Sequence, residues 1–486
     1  MDISVEKSGS HLSRARQPSR LSPVVFSGVA DAAELVLSAA AAAVLAVFYI
    51  GDSEDVVWSA YVIGIVAAWQ IQYVLFKTAR LYALPAFRQP GPKAGHLLVM
   101  WSVLFAVLVV VAFALKVSDL YSRVWVFGWY TGGYALILFY RFTLARGIAA
   151  MTRSGRLQTH VVIVGGDERE EKLIASLEAS PHSEVKICGV FDDRISRVGP
   201  RVRGYPVLGS VKSLVAFARA RRVDLLIVSL PMAAERRIVE VIKQLYELPV
   251  DIRLAAHSDM LRLAPHAYSY VGGVPMLDLA RRPVADWDHI VKSVEDRVLA
   301  VLFLLLSLPI FVMAALAIKL DSKGPIFFKQ KRYGFNNELI EVYKFRSLRH
   351  EMADQNAEKL VGPGDTRVTR AGKFLRRTSL DELPQLITVL KGGMSIVGPR
   401  PHATAAKAGN RLYQEVADSY YARHRVKPGI TGWAQINGWR GDTDTEEKLL
   451  KRTEYDLYYI ENWSLWLDLT IIARTPWALL KGTNAH

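Results

Sequence analysis

The chain has 486 residues and a mass of 54.2 kDa, enough for two or three folded units. Lysine and arginine outnumber aspartate and glutamate 61 to 46, and the resulting charge of +15 suits phosphates, nucleic acid or an anionic membrane face without choosing among them. Hydrophobic residues make up 51% and charged residues 22%, which excludes disorder as the main state, and the single cysteine, Cys188, excludes an intramolecular disulfide framework and a Cys-based zinc site.

Residues 1–26 carry Lys7, Arg14, Arg16 and Arg20 among serines and prolines, with no signal-cleavage pattern, and are expected to form a disordered cytosolic arm. Four apolar runs follow within residues 27–150: Leu35 to Gly51, Val56 to Phe76, Leu97 to Leu115 and Val124 to Tyr140. The last three approach the ~20 residues needed to cross a bilayer, and the first, Ala-rich and preceded by Asp31 and Glu34, is the least secure; together they predict a four-helix transmembrane bundle. Lys77, Arg80, Arg88 and Lys93 follow the second run and Arg141, Arg146, Arg153 and Arg156 follow the fourth, whereas Asp52, Glu54 and Asp55 follow the first. The positive-inside rule then places the N-terminus and everything after residue 150 in the cytoplasm.

From 157 to 256 the pattern changes to short β-rich runs, HVVIVGG, VKICGVFDD, VDLLIVSL and VDIRL, separated by polar helical stretches. That alternation predicts a small Rossmann-like α/β domain. A G-x-G-x-x-G reading from Gly165 meets Asp167 and Glu170 where glycines should stand, so two of three glycines are missing. Asp192 and Asp193 lie where a ribose-binding acid would fall, but acids after strands are also common turn formers. Cofactor binding and a regulatory or scaffolding role both remain open, and residues 257–282 read as a linker.

Val298 to Ile318 is a fifth run of 21 uncharged residues. Arg281, Arg282, Lys292 and Arg297 precede it and Lys319, Lys323, Lys329, Lys331 and Arg332 follow, so charge holds both ends on the cytoplasmic side. Ser307 and Pro309 lie at its middle, where proline removes a backbone hydrogen bond and a nearby serine can satisfy a freed carbonyl. A re-entrant helix-break-helix over 298–318 satisfies both observations; a kinked full span is the alternative.

The segment 283–486 is dense in short signatures: GPIFFKQKRYG (324–334), YKFRS (343–347), FLRRTSLDELPQL (374–386), SIVGPRP (395–401) and RVKPGITGWAQINGWRG (425–441). Cations recur in them, among them Lys344, Arg346, Arg376, Arg377, Arg400, Arg425, Lys427 and Arg440, and arginine forks match the oxygens of a diphosphate. Asp381 and Glu382 are adjacent acids in this basic stretch. Nearby arginines can keep such a carboxylate ionised as a nucleophile or a metal ligand, but Ser379-Leu380-Asp381-Glu382 also fits a helix capping box. Trp463 and Trp466 suit either a membrane interface or a core.

Taken together, these five signatures resemble the bacterial sugar transferase, or polyprenyl-phosphate phosphoglycosyl transferase, family, and the preceding spans and α/β segment resemble its large multi-span branch that initiates exopolysaccharide repeat units. The resemblance implies a monotopic α-rich catalytic domain with a re-entrant membrane helix. It implies that Asp381 of the Asp381–Glu382 dyad attacks the β-phosphate of a UDP-hexose and expels UMP, and that undecaprenyl phosphate then takes the phosphosugar. Mg²⁺ is implied at Asp381 and Glu382, and Arg400 and Arg440 are implied at the substrate phosphates or uridine. Lys344, Arg346, Arg377 and Arg425 are the further cations expected there. Glucose is the preferred hexose from the stretch ING-WRG-DTDT, with galactose as the alternative. The implied setting is the bacterial inner membrane with the catalytic domain facing the cytoplasm. Its partners would be the lipid bilayer, a second copy of the chain and downstream glycosyltransferases, with no nucleic acid.

Overall fold

The computed structural model describes residues 22–50, 57–166, 168–179, 185–194, 198–231, 234–255, 269–271, 273–352, 365–402, 407–408, 411–416, 420–441 and 445–480. The acidic loop Asp52–Asp55, Asp167, most of the expected N-terminal arm and about half of the expected linker lie outside them. The chain divides into two compact units, Met1–Thr159 and His160–His486. It is a membrane protein: among the described residues, five helices are long and apolar enough to cross a bilayer.

Four of them belong to the first unit: α1 (Pro23–Ile50), α2 (Trp58–Thr78), α4 (Pro90–Ala114) and α5 (Arg123–Arg153), with the short α3 (Leu84–Arg88) between α2 and α4. Helix α1 begins well before the apolar run that announced it, so residues 23–26, expected in the disordered arm, are helical and Asp31 and Glu34 lie inside the helix. Arg141 explains this: its guanidinium donates to both oxygens of Glu34 at 2.7 and 3.0 Å, and both side chains are fully buried. A paired acid is tolerated where a lone one would be expelled. The core is aromatic, with the indole N–H of Trp125 donating to the carbonyl of Ala42 at 2.8 Å and that of Trp101 to Tyr130 at 2.8 Å.

The second unit opens with β1 (Thr159–Val164), α6 (Glu168–Ala179), β2 (Val185–Phe191), β3 (Arg201–Val202), β4 (Tyr205–Gly209), α7 (Val211–Ala220), β5 (Leu225–Val228), α8 (Glu235–Leu245), β6 (Asp251–Ala255), β7 (Ser269–Val271) and β8 (Val274–Ala280). The strands form one sheet in the order β3-β4-β2-β1-β5-β6-β8-β7, with β1, β5 and β6 mutually parallel. The four expected strands are present, and the β3–β4 and β7–β8 hairpins extend both edges. A nucleotide would enter such a sheet at the turn after β1. There, a Cβ on Gly165 would meet Glu170 Oε1 at 2.4 Å and one on Gly166 would meet Val198 at 2.3 Å. An acid and a branched side chain thus occupy the approach that a pyrophosphate needs, and Asp192 accepts from the backbone and guanidinium of Arg194.

Helix α9 (Asp286–Asp321) follows, then the hairpin β9 (Phe327–Tyr333) and β10 (Leu339–Phe345), α10 (Arg370–Thr378), α11 (Gln385–Leu390), β11 (Ser395–Val397), β12 (Gly429–Thr431), α12 (Glu446–Glu461) and α13 (Leu465–Leu480). The break expected at Ser307 and Pro309 is instead a point inside one 36-residue helix. Ser307 Oγ donates to the carbonyls of Phe303 at 2.6 Å and Leu304 at 3.3 Å, so hydroxyl bonds support the turn that proline weakens. One face of α9 packs against the elements that follow it near both ends of its apolar stretch. Ala300 joins a core with Leu386, Val389, Ile396 and Ile471, and Ala314 and Ile318 join a second with Phe345 and Leu375. Leu302, Leu305, Leu306, Leu308, Val312 and Leu316 on the other faces are exposed, as lipid-facing residues would be.

Candidate active site

The dyad sits where three tight elements meet. Thr369 caps the start of α10 by accepting from the Gly372 N–H at 3.0 Å, and the helix ends at Ser379, whose φ of +58° is left-handed. That reversal throws the chain into the 3₁₀ turn Leu380–Glu382, and Pro384, whose ring needs no N–H partner, starts α11. The capping-box reading is overturned. Ser379 lies in a C-terminal, left-handed position and makes no capping bond; its hydroxyl accepts from Arg440 Nη2 at 2.5 Å.

Glu382 is held from two sides. Lys344, on β10, donates to its Oε1 at 2.8 Å, while Arg400 donates to Oε2 at 2.9 Å and to Oε1 at 2.5 Å. Although burial opposes it, the Arg400 fork and Lys344 hold the Glu382 carboxyl well below the usual carboxylate range. Asp381 is different. It is half-buried and makes no hydrogen bond among the described residues, so its oxygens are uncommitted. Burial raises its pKa and the neighbouring Glu382 charge adds to the rise, with Lys344, Arg376 and Arg400 pulling it back. The adjacent acids are thereby split, one locked and ionised, the other open and more basic than usual.

Arg400 owes its position to glycines and a buried ion pair. Strands β11 and β12 run parallel, and a Cβ on Gly429 would lie 2.1 Å from Gly398 N, so the close crossing that presents the Pro399–Pro401 turn requires glycine. Arg423, 1% exposed, binds Asp456 at 2.6 Å and donates to the Arg400 carbonyl at 3.1 Å and to His402 Nδ1 at 2.8 Å. Burial and the surrounding arginines keep His402 neutral, which lets Nδ1 accept.

Of the cations expected at the substrate, Lys344, Arg400 and Arg440 converge on the dyad and three do not. Arg346 is buried at the C-terminus of α9, donating to the carbonyls of Ser322 at 2.7 Å and Lys323 at 2.6 Å. It closes a helix end whose carbonyls lack intrahelical partners. Arg377 is exposed on the far side of α10, one residue from Arg376, whose charge reaches Asp381. Arg425 stacks 4.3 Å from the ring centroid of Tyr246 and donates to the Arg281 carbonyl, joining the α/β domain to the catalytic elements. Ser307 and Pro309 lie inside α9, away from the dyad's hydrogen-bond partners. Arg332 was read only as flanking charge. It donates to the Pro401 carbonyl at 2.6 Å and to Gln330 at 2.7 Å, and burial lowers its pKa to about 10. Strand periodicity carried the signal: Gln330 and Arg332 turn inward while Lys329 and Lys331 turn out.

Among the described residues no group of three or more His, Cys, Asp or Glu gathers as a closed metal cage. The donor chemistry still fits Mg²⁺, which takes one or two carboxylates and completes its shell from substrate phosphates. Asp381 offers open oxygens, and Glu382 would reach a metal only by giving up one of its cationic contacts.

Residues 287–482 match the family described as bacterial sugar transferase, and residues 78–256 match the family described as CoA-binding domain. The chain is 38% identical to the UDP-glucose:undecaprenyl-phosphate glucose-1-phosphate transferase of Escherichia coli over 359 residues, 74% of this chain and 75% of that one. It is 37% identical to the transferase of the same name from Xanthomonas campestris pv. campestris over 391 residues, 79% of each chain. Over 202 residues, 40% of this chain and 45% of the relative, it is 41% identical to a UDP-N-acetylgalactosamine-undecaprenyl-phosphate N-acetylgalactosaminephosphotransferase of Aeromonas hydrophila. With the uncommitted Asp381, the locked Glu382 and these relatives in hand, the chain belongs to the bacterial sugar transferase family of polyprenyl-phosphate phosphoglycosyl transferases.

Proposed function

We propose that this protein transfers glucose-1-phosphate from UDP-glucose to undecaprenyl phosphate at the cytoplasmic face of the bacterial inner membrane, initiating an exopolysaccharide repeat unit. The observation that carries the chemistry is Asp381, a carboxylate without hydrogen bonds among the described residues, beside Glu382, which Lys344 and Arg400 hold in place. An Asp381 oxygen attacks the β-phosphorus; the bond from that phosphorus to the α–β bridging oxygen breaks, and UMP leaves with the electron pair. A phosphate oxygen of undecaprenyl phosphate then attacks the phosphosugar-aspartate, releasing Asp381 and forming the lipid-linked sugar diphosphate. Burial raises the basicity of Asp381 and so its nucleophilicity. Arg400, Arg440 and Lys344 supply fixed positive charge where negative charge develops on the bridging oxygen and UMP. Mg²⁺, held by Asp381 and Glu382, would withdraw further charge from the diphosphate. Two relatives that align over at least three quarters of their length are named for UDP-glucose, which favours glucose over galactose or an N-acetylhexosamine.

The apolar exposed faces of α9 support a helix that enters one leaflet and leaves the catalytic elements at headgroup depth, because those elements pack against both ends of its apolar stretch. A lipid acceptor confined to that plane meets the nucleophile already oriented.

The test is the nucleotide released when purified protein in detergent meets UDP-glucose, Mg²⁺ and undecaprenyl phosphate. UMP whose sustained release needs the lipid, and which Asp381→Asn abolishes at unchanged protein level, supports the reading. UDP as the product, or full turnover by Asp381→Asn, refutes it, and the latter would favour a scaffold role for the protein.

A further inference from the structure

A second cluster of cations lies apart from the dyad, where the β8–α9 connection meets the segment before β12. A cavity of about 90 Å³ is lined there by Arg282, Val284, His289, Lys292, Asp296 and Lys427. It shares Arg282, Val284 and Arg425 with a neighbouring opening of about 350 Å³ that borders Tyr246 of the α/β domain and Glu461 of α12. None of the groups that hold Glu382 lines either space.

Lys292, in the wall of the smaller cavity, is matched by Asp468 at 2.7 Å, Asp296 at 3.0 Å and Glu295 at 3.6 Å. Asp296, the carboxylate in its wall, is already taken by Lys292 at 3.0 Å, Ser395 Oγ at 2.8 Å and the Ile396 N–H at 2.9 Å. Lys427 makes no hydrogen bond or ion pair among the described residues. Arg425, 3% exposed, leaves its Nε–H without a hydrogen-bond partner among the described residues. Burial lowers the pKa of the Lys427 ammonium, the Asp296 charge opposes the fall, and the positive charges of Arg297 and Lys292 add to it. A buried donor without a partner is costly to keep, and a bound anion is one group that satisfies it. Val284, in the wall of both spaces, has a φ of +49°, which a β-branched residue rarely adopts. The depth also matters. Trp287, Val291 and Val294 are exposed on the same turns of α9 that carry His289 and Lys292, a pattern of the membrane interface, where the abundant anion is a phosphate.

We propose that this cavity is a second phosphate-binding site, built from Lys427, Arg282, His289 and Arg425 and taking a phosphate ester presented by a lipid headgroup or by a soluble nucleotide. A guanidinium fork with an ammonium is the donor set that such an ester takes. The site joins the α/β domain and the catalytic elements through Arg425, which contacts both.

The test is the thermal unfolding midpoint of the full chain with inorganic phosphate or UMP in neutral detergent, and in nanodiscs of phosphatidylcholine with and without phosphatidylglycerol. Wild type and Arg400→Gln, which disables the catalytic fork, are expected to gain a few degrees with at least one probe, Lys427→Gln to gain nothing, and Lys427→Arg to recover the gain. A rise with inorganic phosphate or UMP identifies a soluble ligand; a rise with phosphatidylglycerol alone identifies a lipid headgroup. The proposal fails if no probe moves the wild type, if the rise survives in Lys427→Gln, or if it disappears in Arg400→Gln, which would assign it to the catalytic site. Should Lys427→Gln fail to fold, His289→Gln carries the same comparison.

Discussion

Replacing Arg400 by lysine keeps its charge and removes its fork. In the wild type the guanidinium makes two bonds to Glu382, at 2.9 and 2.5 Å, alongside the single bond from Lys344 at 2.8 Å. An ammonium at the end of a flexible stem replaces one of the two at most. A hydrogen bond to a charged group is worth about 1.5–3 kcal/mol. If that orientation is used in the transition state, kcat/KM falls roughly 10- to 100-fold, since about 1.4 kcal/mol is one decade. The pH profile moves as well. The Glu382 pKa is depressed by Arg400 and Lys344, so its favourable interactions are present above its unfolded pKa and fade as pH falls through the folded value. Weakening the fork moves that folded value back up, and because Arg400 also pulls down the raised pKa of Asp381, the nucleophile whose ionisation sets the acid limb of the activity profile, that limb shifts to higher pH. Arg400→Gln, with only Lys344 left on Glu382, loses more activity and shifts the limb further. The assay is UMP release against pH with UDP-glucose and undecaprenyl phosphate. Arg400→Lys turning over like wild type, with an unmoved acid limb, would refute a role for the fork.

Arg346→Ala leaves the carbonyls of Ser322 and Lys323 without their donor and lowers stability by about 1–3 kcal/mol in thermal melts, with little change in KM for the surviving folded enzyme. Arg377→Ala, at an exposed position, stays within about 0.5 kcal/mol of wild type and retains activity. Arg141→Ala strands the buried Glu34 and costs about 3–5 kcal/mol in detergent melts, much of which the double variant Glu34→Leu/Arg141→Leu recovers. In a Cys188→Ser background, single cysteines at Arg281 and Lys323 react with a membrane-impermeant maleimide from the same side; reaction from opposite sides would mean that α9 crosses the bilayer.

The family was legible because Asp381 and Glu382 stand in a long run whose neighbours repeat a recognisable pattern, and the spans because hydropathy integrates over twenty residues. What the sequence hid were long-range partners. Helix α1 was cut short because Asp31 and Glu34 look like a boundary until Arg141, 107 positions away, neutralises Glu34. Lys344 and Arg346 are two cations of one short signature, yet one meets Glu382 and the other a helix end, a choice made by where α9 stops and not by either residue's neighbours. Arg376 and Arg377 differ by about a quarter turn of helix, and only the burial of Gly372 and Leu375 fixes which of them turns towards Asp381. Ser379 reads as a cap until its left-handed φ shows that it ends one helix instead of starting the next.

The contact between Arg346 and the end of α9 has a mechanical consequence. Two residues upstream, the same stretch of chain presents Lys344 to Glu382. The residue that grips the membrane helix and the residue that grips the catalytic acid are therefore fastened to a single short rod of backbone. That rod works as a depth gauge: it ties the height of the carboxylates to the height of the helix end. Sliding the helix along the bilayer normal would carry the carboxylates with it, because two side chains two residues apart on one strand tie Glu382 to the helix end.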